Sequence, residues 1–143
     1  MYDKTILLVE DNENDRMLTQ RAFNKSKLAN TLIAVNDGEQ ALRYLHGDGT
    51  HEPQELPVLV LLDLKLPNID GLEVLRRIRA ESRTALLPVV VLTSSSEQED
   101  MVRGYQLGAN SYVRKPVNFE SFVSAVQQLG LYWMAINEPP PAR

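Results

Sequence analysis

The sequence predicts an α/β protein built on a parallel five-stranded sheet with helices on both faces, a three-layer sandwich. Two observations carry this reading. Five short β-branched or apolar runs recur at wide intervals, and amphipathic helical patterns lie between and after them. Continuous apolar runs of this length suit strands covered on both faces, and strict β-α alternation implies a parallel sheet with right-handed crossovers.

The runs are Ile6 to Val9, Leu32 to Val35, Val58 to Leu62, Val89 to Leu92 and the weaker Tyr112-Val113. A first helix begins near Asn12-Glu13-Asn14-Asp15, with Met17, Leu18 and Ala22 on its inner face. A second is entered through Asn36-Asp37-Gly38 and presents Ala41, Leu42 and Leu45. Leu72, Leu75 and Ile78 line a third, entered through Asp70-Gly71, with Arg76, Arg77 and Arg79 left to water. Met101, Val102 and Tyr105 mark the inner face of a fourth, which Gly108 ends and one of Ser94, Ser95 or Ser96 caps. Phe119, Phe122, Val123 and Val126 follow the i, i+3, i+4, i+7 spacing of a fifth, capped by Asn118. Gly47 to Pro57 reads as a long surface loop, and His46 and His51 as surface residues.

The 143 residues suit one domain, assigned to 1–136 and followed by a Pro-rich disordered tail, 137–143. Nothing after the fifth helix is long enough for a second module, so the chain reads as stand-alone. No apolar run approaches the ~20 residues of a membrane span, and no signal peptide precedes the first strand, which points to the cytoplasm. The absence of cysteine removes disulfide and thiolate chemistry, and the net charge of -4 argues against nucleic acid as a partner.

Chemistry-bearing residues follow the strands. The first run ends in Glu10-Asp11, the third in Asp63, the fourth in Thr93 and the fifth in Lys115-Pro116. In a parallel sheet these ends share one edge, where ligands bind. If the order is 2-1-3-4-5, Glu10, Asp11 and Asp63 crowd together. Two like charges ~4 Å apart repel by about 4 kcal/mol at an effective dielectric near 20. A raised pKa or a cation must relieve this. Oxygen ligands without histidine favour Mg²⁺, with Mn²⁺ the alternative. Three carboxylates, one lysine and one divalent ion sum to zero charge, a setting able to receive a phosphoryl group.

Val9-Glu10-Asp11, Leu62-Asp63-Leu64-Lys65-Leu66-Pro67, Asp70-Gly71, Val91-Leu92-Thr93-Ser94, Gly108-Ala109 and Lys115-Pro116 occur in the order of a response-regulator receiver domain of two-component signalling, which the chain resembles over about residues 4 to 130. The resemblance implies a flavodoxin-like fold of order 2-1-3-4-5. It also implies that Asp63 takes a phosphoryl group from a phosphohistidine on a sensor histidine kinase. Asp11, Asp63 and the backbone carbonyl of Lys65 would ligate the metal, with Glu10 acting through a bound water. Thr93 and Lys115 would meet the phosphoryl oxygens, Tyr112 would turn inward behind Thr93, and Lys115-Pro116 would be cis. Lys65 and Ser95 match positions that tune phosphoryl lifetime. The Asn36 to Leu42 segment, the long loop and the extended C-terminus further resemble regulators paired with phytochrome-type histidine kinases.

The fifth helix runs past the usual end through Leu129, Leu131, Trp133, Met134 and Ile136. Left wet, these would expose a sizeable apolar patch. Either they fold back on the domain, or Leu131, Trp133 and Met134 make a symmetric dimer. Two enzyme or cofactor alternatives fit worse. A haloacid-dehalogenase-type phosphatase needs an aspartate where Lys65 stands, and a flavodoxin needs a phosphate loop where Glu10-Asp11-Asn12-Glu13 would repel phosphate. The reading is therefore of a phosphoacceptor signalling protein, not an enzyme.

Overall fold

The computed structural model describes residues 4–25, 30–50, 52–116 and 118–141. Strands β1 (Lys4–Val9), β2 (Asn30–Val35), β3 (Leu59–Leu62), β4 (Val89–Thr93) and β5 (Ser111–Arg114) form one parallel sheet in the order β2-β1-β3-β4-β5. Helices α1 (Glu13–Lys25), α2 (Gly38–His46), α3 (Gly71–Ala80), α4 (Gln98–Gln106) and α5 (Phe119–Leu131) follow the strands in turn. Every residue of β3 and β4 is buried, as continuous apolar runs at the centre of a two-sided sheet require. On one face Ile6, Leu8, Leu59, Leu61, Val90 and Leu92 pack against α1 and α5; on the other Leu7, Val9, Val60, Leu62 and Val89 pack against α2 and α3. The alternation of side chains along each strand divides the two cores.

Three helix starts are set by the expected caps. Asp37 accepts from the Gln40 N–H (2.8 Å), Asp70 from the Glu73 N–H (2.9 Å) and Asn118 from the Ser121 N–H (3.1 Å). Each such cap is worth about 1 kcal/mol. Gly108 follows α4 with φ 102°, a value that favours glycine.

Several expectations fail, each for a physical reason. On α1 Ala22 is buried and Leu18 packs on the core as expected, but Met17 is exposed and Thr19 and Phe23 are buried beside Ala22, because the inner stripe runs Leu18, Thr19, Ala22, Phe23. Phe119 at the start of α5 is also exposed. On α4 only Gly104 is buried; Met101, Val102 and Tyr105 are 38%, 50% and 51% exposed. A Cβ on Gly104 would sit 3.4 Å from the Tyr112 ring, so α4 rests on the sheet edge through its smallest residue and turns its apolar residues outward. The cap of α4 is Glu97, which makes no side-chain cap bond. Ser95 Oγ instead accepts from the Glu97 N–H (3.3 Å) and donates to Asp100 (2.7 Å).

Arg79 is not left to water. Its guanidinium reaches over the end of α3 and donates to the carbonyls of Gly108 (2.8 Å) and Leu87 (2.7 Å) and to Asn110 Oδ1 (3.0 Å). Arg76 and Arg77 pair with Glu73 on the exposed face, as expected of a solvated surface. His46 is half-buried, its Nε2 3.0 Å from Thr84 Oγ1; that hydroxyl donates to the Ile78 carbonyl (2.6 Å), so the imidazole is the donor to it. His51 lies outside the described residues. The peptide Lys115-Pro116 is trans, since the described residues contain no cis bond; the two isomers before proline differ by only about 0.5–1 kcal/mol.

The extended C-terminus is divided in its use. After α5 the chain makes a π-helical turn (Tyr132–Ile136) that drops Met134 into the α1–α5 core, where Lys4 Nζ also meets its carbonyl oxygen. Trp133 packs on the same core and meets Tyr132 edge to face at 5.1 Å. Leu131 and Ile136 remain exposed. Of the three residues considered for a dimer, Met134 is thus taken up by its own chain. Pro139, Pro140 and Pro141 line a small apolar pocket with Leu56, Leu86 and Pro88 at the opposite edge of the sheet from the acids.

Candidate functional site

The site follows from strand register. Val9 pairs with Leu62 in the β1–β3 ladder, so the next residues of the two strands, Glu10 and Asp63, emerge side by side. The ladder runs one step further: the Asp63 N–H donates to the Val9 carbonyl and the Glu10 N–H to the Val35 carbonyl, both at 3.1 Å. At the other side Thr93 pairs with Arg114, and the Lys115 N–H donates to the Thr93 carbonyl at 2.7 Å. Lys115 therefore leaves the sheet pointing across β4 and β3 toward β1.

Its ammonium is the centre of the arrangement. With a side chain only 9% exposed, Lys115 Nζ contacts Glu10 Oε1, Asp15 Oδ2 (2.8 Å) and Asp63 Oδ2 (3.1 Å). Glu10, Asp11 and Asp63 offer carboxylate oxygens that all lie within 4.8 Å of one another, close enough to hold one cation. Glu10 and Asp63 are buried and Asp11 is exposed, so the acidic cluster has a wet side by which an ion can keep waters. Burial pushes the Glu10 carboxyl up to about 7, against the lowering effect of its Lys115 hydrogen bond, and the Asp63 charge adds to the rise. For Lys115, burial opposes the charge, but the hydrogen bonds to Asp15 and Glu10 outweigh it and the ammonium is held well above its ordinary value.

The loop after β3 fixes Asp63. The Lys65 N–H donates to Asp63 Oδ1 (3.2 Å), and Asn68 takes φ 68°, a left-handed value that asparagine tolerates, to reverse the chain. The Gly71 N–H then returns to the Leu64 carbonyl (2.9 Å). A Cβ at Gly71 would lie 2.2 Å from the Asp63 carbonyl oxygen, so only glycine allows α3 to start this close. Thr93 is fully buried, and its Oγ1 accepts from the Ser95 N–H at 3.3 Å. Tyr112 is half-buried and donates from its hydroxyl to the Ser95 carbonyl at 3.3 Å, with the Tyr105 ring 6.4 Å away.

The structure thus brings together Glu10, Asp11, Asp63 and Lys115 at one edge, with Thr93, Ser95 and Tyr112 forming a connected group beside β4 and Lys65 exposed on the loop. Sequence reasoning missed Asp15. It stands in the first turn of α1, directly after Glu10-Asp11, and that proximity was the available signal: a helix starting this soon after a strand keeps its first turn over the same crevice.

A five-stranded sheet of this order with acids gathered at its switch point defines the receiver class, and the chain belongs to the family of the response regulator receiver domain, whose model matches residues 6–127. Among individual relatives, the response regulator Rcp1 of Synechocystis is 37% identical over 97% of this chain and 95% of its own length. The structure of its Mn²⁺-bound form superposes with a TM-score of 0.91 over 96% of this chain and 99% of that one. The phosphorylated cyanobacterial phytochrome response regulator RcpA is 35% identical, with a TM-score of 0.93 over 98% of this chain and all of that one. FilR2 of Methanothrix harundinacea, described as a probable methanogenesis regulatory protein, is 42% identical over 94% of this chain and 86% of its own length. Among the described residues no helix is long and apolar enough to cross a membrane.

Proposed function

We propose that the protein is a response regulator, acting in the cytoplasm, that accepts a phosphoryl group on Asp63 from the phosphohistidine of a sensor histidine kinase, in a Mg²⁺-dependent reaction. The observation that carries this reading is the meeting of Glu10, Asp63 and Asp15 at the one ammonium of Lys115, beside a carboxylate cluster fit for a divalent ion. Glu10, Asp11, Asp63 and the Lys65 carbonyl are the groups that would hold Mg²⁺, or Mn²⁺ as Rcp1 does. When bound, the ion takes charge from the transferring phosphoryl oxygens. The chain supplies the rest. An Asp63 oxygen attacks phosphorus as the bond to the histidine nitrogen breaks. Lys115 is an ammonium within reach of the new oxygens, and the Thr93 hydroxyl is a second donor.

Movement of Thr93 toward the phosphoryl group would draw on its bond with the Ser95 N–H and, through Ser95, on Tyr112 and α4. Because α4 buries only Gly104 and its Asp100 is bonded to Ser95, this is the element the charge change would displace. Lys65, exposed beside Asp63, and Ser95, buried beside Thr93, are the residues that would tune the lifetime of the phosphoryl group. Likeness to RcpA, a phytochrome response regulator, supports a phytochrome-type kinase as partner. A second copy would cover Leu131 and the exposed side of the C-terminal turn; sedimentation of the full chain beside Leu131→Glu reads this as loss of a dimer, and a monomer in both rejects it.

Incubation with acetyl phosphate and Mg²⁺, followed by intact mass, tests the central step. The wild type should gain one phosphoryl group and Asp63→Asn none. No gain by the wild type, or an equal gain by the variant, would refute it.

A further inference from the structure

Asp15 is the acid at this edge that neither the ion cluster nor the strand ends explain. Its carboxylate lies 2.8 Å from Lys115 Nζ, nearer than Asp63 at 3.1 Å. It is not a surface acid that happens to reach the lysine. The Asp15 N–H donates to Asn12 Oδ1 (3.0 Å), and its carbonyl accepts from the buried Thr19 hydroxyl (2.7 Å). The next residue, Arg16, donates to the Glu10 carbonyl (3.0 Å), which clamps the first turn of α1 to the end of β1. An ammonium has three N–H donors. Glu10, Asp15 and Asp63 take all three, so a phosphoryl oxygen arriving on Asp63 finds none free. The charge count agrees. Asp15 adds a fourth carboxylate to those of Glu10, Asp11 and Asp63, against the cations of Lys115 and Arg16, and so makes the site more negative toward any anionic phosphodonor.

Resting on the phosphoacceptor reading, we propose that Asp15 is a positioning residue that competes for Lys115. It holds the ammonium toward α1 and so restrains phosphoryl transfer to Asp63. The isosteric Asp15→Asn keeps an oxygen for Lys115 but removes the charge. Lys115 then turns more readily to the phosphoryl group, and the site repels its donor less.

The test compares the wild type, Asp15→Asn and Asp15→Glu for the rate of phosphorylation by acetyl phosphate with Mg²⁺, across ionic strength, with thermal melting to show that each is folded. Asp15→Asn should react about threefold to tenfold faster at low salt, the gain shrinking as salt screens the charge. Asp15→Glu, which restores the charge, should react like the wild type. A structural role would give neither the salt dependence nor the return with glutamate. In parallel, the Lys115 ammonium resonance should exchange with water faster in Asp15→Asn, whether or not phosphate is added. A wild type that phosphorylates beside an Asp15→Asn that is no faster overturns the inference and leaves the phosphoacceptor reading standing, as does an Asp15→Glu as fast as the asparagine variant. A wild type that takes up no phosphoryl group overturns both, while the ammonium signal still reports the contact.

Discussion

Helices α3 and α4 follow adjacent strands and both carry apolar residues, yet the fold uses them in opposite ways. Gly71, Leu72, Val74, Leu75 and Ile78 of α3 are buried, and Asp70 caps its start. α4 buries only Gly104 and starts without a side-chain cap bond. α3 is an anchor for the Asp63 loop, whereas α4 rests on Tyr112 and Ser95, the residues through which the buried Thr93 reaches the surface. The difference teaches that two helices flanking one site can be held with unequal firmness, and the less buried one is the easier to displace.

Core truncation should expose this difference most strongly. Leu75→Ala should cost about 3 kcal/mol in urea unfolding, since its side chain is fully buried, and Val102→Ala under about 0.5 kcal/mol, as for an exposed site. Equal losses would break the comparison.

The two glycines should differ next. Gly71→Ala places a Cβ against backbone at 2.2 Å and 2.6 Å, and should cost about 2 kcal/mol while weakening any divalent-ion binding at Asp63. Gly104→Ala meets only the Tyr112 ring at 3.4 Å. It should be neutral or gain up to about 1 kcal/mol from helix propensity.

A smaller effect comes from pH. Glu10 is raised in the folded protein from its ordinary 4.5 to about 7. Its contribution to stability is therefore fully present below about pH 4.5 and is lost as pH rises through 7, because the folded site resists ionisation more than the unfolded chain does. In metal-free protein the wild type should lose stability across this window relative to Glu10→Gln, and added Mg²⁺ should restore it. Parallel pH profiles for the two proteins, read by urea midpoints, would contradict this.

The smallest effect sharpens the picture at α4 itself. Ser95→Ala removes the bonds to Asp100 and the Glu97 N–H, and should cost about 1 kcal/mol or less. Faster amide exchange should then be confined to the start of α4.

Much of this architecture is legible in the residues, and the exceptions have a common cause. Val58 to Leu62 and Val89 to Leu92 announce buried strands because burial on both faces leaves no room for polar residues. Asp37, Asp70 and Asn118 announce helix starts because a cap is a contact over three residues. Glu10, Asp63 and Lys115 could be brought to one edge because parallel strands align their ends. The face of α4 was misread because periodicity fixes a stripe, not the side of the helix that finds the sheet, and here that side carries Gly104 against Tyr112. Arg79 and Asp15 were missed as contacts because their partners, Gly108 and Lys115, are distant in sequence and set by the fold.

Hydrogen exchange of the wild type, with and without acetyl phosphate in the presence of Mg²⁺, tests the division between anchor and reporter most directly. Phosphorylation should change exchange from Ser94 through Tyr112 and leave Gly71 to Ala80 unchanged. Equal changes in both helices, or none in α4 when Asp63 is phosphorylated, would contradict it.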